Sequence, residues 1–328
     1  MAEGEIRMKQ ATEQPKRKSG LLRAVGFTKE ETRDIFEIFE REIEKRPKKW
    51  WTFWRKDKLW SGEPISRYER QKTEEEIKSI QFIFDKLPEF IKRYGGNPVD
   101  LRPEYVHIID RKKTEQSLNN GIRKIGKCGG FYTFAEQFMG IIDRDKLSNM
   151  EAVVHEAMHF NSFLSVEKIE EEKKYYLDTR RSGLSIANNL NKEENYFGQI
   201  NEAITCDLQI RFEEEFFPLM PELTEELKNK QAYLDKLQQE NPNPFVQKKY
   251  LGREYVNFRR NFHYLTNNIK LRSLDYQGNE QISNEQIFNM FARSYFSGKL
   301  LPLARLIENK FGKGSFRKLG EEYKVRKE

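Results

Sequence analysis

Two histidines four residues apart with a glutamate after the first, His155-Glu156-Ala157-Met158-His159, constrain this 328-residue chain more than any other stretch. Val153, Val154 and Phe160 flank the segment, so it reads as a helix set in apolar surroundings. Residues i and i+4 of a helix share a face, and the two imidazoles can therefore be presented to one ion. Glu156 stands beside the first histidine, where its carboxylate reaches water at such an ion without serving as a ligand. Ser148-Asn149-Met150-Glu151 fits a capping box and predicts a helix from about 149 to 163. The competing reading of the pentapeptide is a surface helix whose histidines are merely solvated.

A catalytic metal of this kind takes a third protein ligand and leaves one position for water. Downstream, the chain reads Gly198-Gln199-Ile200-Asn201-Glu202-Ala203-Ile204-Thr205-Cys206-Asp207. With HEAMH, this stretch resembles the gluzincin metallopeptidases, the thermolysin-like ones in particular. Gly198, Asn201, Glu202, Ala203 and Thr205 fall where that family has G-x-x-N-E-A-x-[ST]. The resemblance spans roughly residues 104–215. It implies Zn²⁺ held by His155, His159 and Glu202, with Glu156 as general base. It also implies a tyrosine and a histidine as oxyanion donors. His263 is the histidine downstream of the motif, and Tyr264 is taken as its partner, with Tyr255 and Tyr196 as further options.

The chain departs from the family at Cys206, where an aspartate would orient the first histidine. Asp207 comes one place late, about 100° round the helix, so the orienting of His155 falls to Thr205 or to a carboxylate elsewhere. Cys206 itself is read first as a small buried hydrophobe. A fourth ligand and a redox-sensitive neighbour of the metal are the alternatives.

The wider composition sets bounds. Two cysteines, Cys128 and Cys206, make no disulfide framework, and with four histidines they leave no room for a cysteine-rich zinc site. They fit a reducing, cytoplasmic setting. No apolar h-region follows the N-terminus and no run of 18 uncharged apolar residues is present, so neither a secretory leader nor a membrane span is expected. The net charge of +7 is spread among interleaved acids, which favours a mixed solvated surface over a nucleic-acid role.

Read in order, residues 1–25 lack periodicity and are expected to form a flexible tail. Capping boxes at Thr28 and Thr73 open helices of an N-terminal helical lobe, 26–96. Between them Trp50 to Trp60 holds all four tryptophans among cations. Packing anchors are the main reading there, with surface binding as the alternative. The core, 97–218, begins with a strand over 105–110, in which His107 reads as a hydrogen-bonded sheet residue rather than a ligand. A hairpin of 129–134 and 138–143 follows, and part of 129–142 is expected to border the cleft. Residues 167–174 read as charged helix, then 175–186 and 195–197 as paired strands that could cover the site. Arg180 and Arg181 are read as carboxylate-binding or solvated. A C-terminal helical lobe, 219–328, contains a Ser283 capping box, and its last charged residues, 321–328, are expected to fray.

The resulting fold class is α+β: a zincin-like core of a small twisted β-sheet, the HExxH helix and the Glu-ligand helix, with helical lobes at both ends. The expected function is a zinc metallopeptidase, a hydrolase whose partner is a peptide or protein substrate. The alternative is a catalytically inactive zinc-binding or scaffold protein with helical lobes for partner binding.

Overall fold

The computed structural model describes residues 21–25, 68–113, 129–133, 138–171, 174–187, 194–243, 250, 254–274, 278 and 281–326. The Thr28 helix, the tryptophan segment and the turn at 135–137 lie outside these residues. What is described is α+β, with two sheets and a surrounding set of helices.

Strand β1 (Leu21–Val25) shows that the last residues of the expected tail pair parallel with a later strand. Strand β2 (Glu69–Arg70) leads into helix α1 (Glu74–Arg93), whose Thr73–Glu76 capping box forms as its sequence predicts. Strands β3 (Val106–Ile109), β4 (Gly130–Thr133) and β5 (Phe138–Ile142) join β2 in a four-stranded sheet ordered β2-β3-β5-β4. The β4–β5 pair is antiparallel, as expected of a hairpin, whereas β3 and β5 run parallel. His107 places Nδ1 3.0 Å from Glu69 Oε2 across β2 and β3, in line with its reading as a sheet residue.

Helix α2 (Lys146–Asn161) carries the HEAMH segment and packs on β4 and β5. It starts one turn before the predicted position. Asp145, not Ser148, is the N-cap: its carboxylate accepts from the Ser148 amide at 2.9 Å and from the Ser148 hydroxyl at 2.6 Å. An acceptor-only side chain takes both bonds at once. Glu151 is thereby released from capping and pairs with Lys230 instead.

The second correction concerns 167–174, which is strand and not helix. Strands β6 (Leu164–Glu171) and β7 (Lys174–Ser182) form an antiparallel hairpin, continued by β8 (Ser185–Ala187) and β9 (Glu194–Tyr196). The local charge favours helix, but a register of cross-strand partners overrides it. The expected pairing of 175–186 with 195–197 is present, as Ile186 opposite Tyr196.

Helices α3 (Gly198–Phe216), α4 (Thr224–Glu240), α5 (Val256–Leu271), α6 (Asn284–Ser297) and α7 (Leu301–Phe311) follow. The Ser283 capping box forms at the start of α6. The C-terminus differs from its predicted fraying: helix α8 (Ser315–Glu322) is followed by β10 (Val325–Arg326), which closes the six-stranded sheet against β9. One continuous apolar core runs from Ile80 of α1 through Val154 and Ile204 to Leu319 of α8. No described helix is long and apolar enough to cross a membrane.

Arg70 ties the sheet to both α1 and the approach to α2. Its guanidinium donates to Glu76 at 2.6 and 2.9 Å and to Asp143 at 2.7 and 2.8 Å. Asp143 also accepts from Asn149 in the first turns of α2, at 3.0 Å. The Arg70 hydrogen bonds hold both carboxyls below their ordinary range, against the opposing effect of burial. A carboxyl depressed in the folded state favours folding above its unfolded value, near about 4, and loses that contribution as pH falls through the folded one. Arg70→Met should therefore cost about 1–3 kcal/mol at neutral pH, as for lost hydrogen bonds to charged groups. In urea titrations the gap to the unsubstituted protein should narrow between about pH 5 and about pH 2. A gap that stays constant with pH contradicts this role.

Candidate metal centre

The site is made where α2 packs on α3, and the residues around it have visible jobs. Val153, Val154, Ala157, Met158 and Phe160 are buried, so α2 is held from most sides, while His155 and His159 lie on a half-buried face of it. On α3, Gly198 allows β10 to approach: a Cβ there would stand 2.8 Å from Val325 Cβ. Asn201 Oδ1 accepts from the Leu184 amide at 2.8 Å, which fixes α3 to the β7–β8 turn, where Gly183 has φ +58°. Asn201 Nδ2 also lies 3.4 Å from Glu202 Oε1.

These constraints converge three ligand atoms. His155 Nε2 and His159 Nε2 are 3.2 Å apart, and Glu202 Oε2 is 3.6 Å from the first and 3.4 Å from the second. Tetrahedral zinc at about 2.0–2.1 Å from each ligand would set them about 3.3 Å apart. His155, His159 and Glu202 fit a metal ion, and they are the one such group found among the described residues. Against burial, which pushes it up, the two imidazoles hold the Glu202 carboxyl far below its ordinary range. Burial disfavours charge on His155, yet contacts with Cys206 and Glu202 outweigh it and raise that imidazole well above its usual value. The cluster is thus built for positive charge at its centre.

Glu156 is buried one position along from His155. Burial lifts its carboxyl, opposed by the charges of the two imidazoles. Its carboxylate lies against β4, where a Cβ on Gly130 would come within 3.1 Å of Glu156 Oε1. The outermost strand of the four-stranded sheet therefore borders the site, as part of 129–142 was expected to do.

Other sequence-derived candidates are placed elsewhere. Tyr264 is 71% exposed on α5, and the structure does not bring it to the cluster. His263 has both ring nitrogens engaged, Nε2 with Asp207 Oδ2 at 2.6 Å and Nδ1 with the Tyr250 hydroxyl at 2.6 Å. Asp207 also accepts from Arg259 Nε at 2.7 Å, so it locks α3 to α5 and does not orient His155. The tyrosine at the cluster is Tyr255, in the left-handed region at φ 52°, with its ring stacked on His155 at 6.0 Å and 9°. Burial and the nearby carboxylates of Glu202 and Glu156 raise its phenol well above the ordinary value.

Arg181 neither binds a carboxylate nor points to water. It donates to the Gly183, Gly298 and Ser294 carbonyls and lies 4.6 Å over the Phe163 ring. Burial lowers its pKa to about 10. Cys206 is buried, as its first reading supposed, in contact with His155, and burial raises its thiol.

The orienting groups are ones that sequence reasoning missed. His155 Nδ1 lies 3.0 Å from Gln209 Oε1. His159 Nδ1 lies 3.4 Å from the Tyr295 hydroxyl, which is hydrogen-bonded to Thr205 at 3.0 Å. Gln209 is seven residues beyond Glu202 and hence on the same helix face, a spacing that could have pointed to it. Tyr295 comes from a distant helix and left no local signal.

Comparison of the whole chain with protein-family models, curated proteins and solved structures finds no match in any of the three.

A ligand that binds only the folded state stabilises it by about 2.7 kcal/mol at a hundredfold excess over its Kd. Removing metal with a chelator should accordingly lower the melting temperature by several degrees. Glu202→Ala should melt at the same temperature with and without chelator. An equal chelator effect in both proteins would exclude Glu202 as a ligand.

Proposed function

We propose that the chain is a zinc-dependent metallopeptidase of gluzincin type, with His155, His159 and Glu202 as ligands and Glu156 as general base. The observation that carries this reading is the triangle of 3.2, 3.4 and 3.6 Å between three ligand atoms drawn from two helices. Solvated histidines on a surface helix have no reason to meet a carboxylate from another element at tetrahedral spacing.

Bound zinc supplies the Lewis acid that polarises a peptide carbonyl and acidifies water. The chain's own residues supply the remaining functions. Glu156, lifted by burial, accepts the proton of the attacking water and returns it to the departing amine. Strand β4, outermost in its sheet and in contact with Glu156, is where an extended peptide would be added as a further strand. Tyr255 replaces Tyr264 as the donor to the developing oxyanion, because its ring already stands against His155. His263, bonded on both sides, serves α3–α5 packing instead.

The deciding experiment pairs metal content with turnover. The protein should carry one zinc per chain and cleave members of a peptide library. Glu156→Gln should keep the zinc and lose roughly 10²–10⁴ in kcat, the usual contribution of a positioned base. Zinc retained with rates unchanged would remove Glu156 from the mechanism. Zinc bound without cleavage of any library member would favour the binding-module reading.

A further inference from the structure

The two ligand imidazoles must carry their lone pairs on Nε2 to face a common ion, which requires the proton on Nδ1. For His155, the structure contains a chain of groups that leaves no other choice. Gln209 sits between His155 and Glu213, with Nε2 2.6 Å from Glu213 Oε1 and Oε1 3.0 Å from His155 Nδ1. The amide nitrogen donates to Glu213 Oε1 and so faces away from His155. The amide oxygen must then face His155, and an oxygen only accepts. His155 is therefore obliged to donate from Nδ1.

Glu213 is itself positioned from a third helix. It is buried on α3, and Lys230 of α4 stands 3.8 Å from its Oε2 while also pairing with Glu151 of α2. Helix α4 buries no residue of its own, so this lysine is a principal polar link between an otherwise solvated arm and the metal helices.

We propose that Gln209 is a positioning residue that sets the His155 tautomer, with its own amide orientation dictated by Glu213. This rests on the metal-centre reading but not on hydrolysis. Partners of this kind typically contribute 10–100-fold to metal affinity. A neutral amide does so by geometry alone.

Two readouts test it, zinc affinity against a competing chelator and the His155 tautomer from long-range ¹⁵N–¹H NMR of the metal-free protein, recorded at a pH high enough that this raised imidazole is neutral. The protein should show a protonated Nδ1 on His155. Gln209→Leu should weaken zinc binding by roughly 10–100-fold. Glu213→Gln, which frees the amide to turn round, should shift His155 towards the Nε2-protonated form and weaken zinc with it. Far-ultraviolet circular dichroism separates these effects from misfolding, and the Glu213→Gln variant remains informative if Gln209→Leu fails to fold. A protonated Nε2 in the unsubstituted protein, or unchanged zinc affinity in a folded Gln209→Leu, would overturn the proposal. Neither readout requires cleavage, so a protein that binds zinc but hydrolyses nothing refutes the peptidase reading while still deciding the role of Gln209.

Discussion

Two half-buried imidazoles and a carboxylate held within 3.6 Å of one another are a costly arrangement unless charge is shared among them. The rest of the fold can be understood as what keeps that arrangement from relaxing. Helix α3 is the hub, because successive side chains along it reach different neighbours. Asn201 holds the β7–β8 turn, Glu202 faces the histidines, and Thr205 meets Tyr295 of α6. Asp207 locks Arg259 and His263 of α5, and Gln209 meets His155. Phe212 stacks edge-on against Phe90 of α1, and Glu213 faces Lys230 of α4. A helix engaged round its whole circumference cannot rotate, so Glu202 keeps its bearing without a metal to enforce it.

This explains a division of labour between elements. Helix α2 carries His155, Glu156 and His159, but its own start is set by Asp145 and by the Arg70–Asp143–Asn149 chain from the sheet. The sheet contributes an outer strand beside Glu156. The hairpin sheet contributes no member of the cluster. It anchors α3 through Leu184 and, through Arg181, the C-terminal end of α6, which carries Tyr295. Tyr295 in turn reaches His159.

Part of the candidate centre was legible in the sequence, because His155 and His159 are one helical turn apart. Glu202 was legible only through the resemblance of 198–205 to the gluzincin stretch, and the contacts of Gly198 with Val325 and of Asn201 with Leu184 are long-range. The strands at 106–109, 130–133 and 138–142 were legible from alternation and turn residues. Other features were not, each for a physical reason. Residues 167–174 are charged and read as helix, yet cross-strand pairing of 164–171 with 174–182 decides them. The start of α2 offered two capping residues, and the one able to accept twice prevailed. Tyr255 was one of several tyrosines until tertiary packing laid its ring on His155. The strand at 325–326 depends on Asn195 and Glu194, more than a hundred residues earlier, and no local pattern encodes such a partner.

The central claim is that His155, His159 and Glu202 share one zinc ion, and a crystal structure with anomalous data collected on either side of the zinc edge addresses it most directly. The account predicts a single zinc peak about 2.0–2.2 Å from Nε2 of both histidines and from a Glu202 carboxylate oxygen. A peak held by other residues, or none in protein crystallised with zinc, would contradict it.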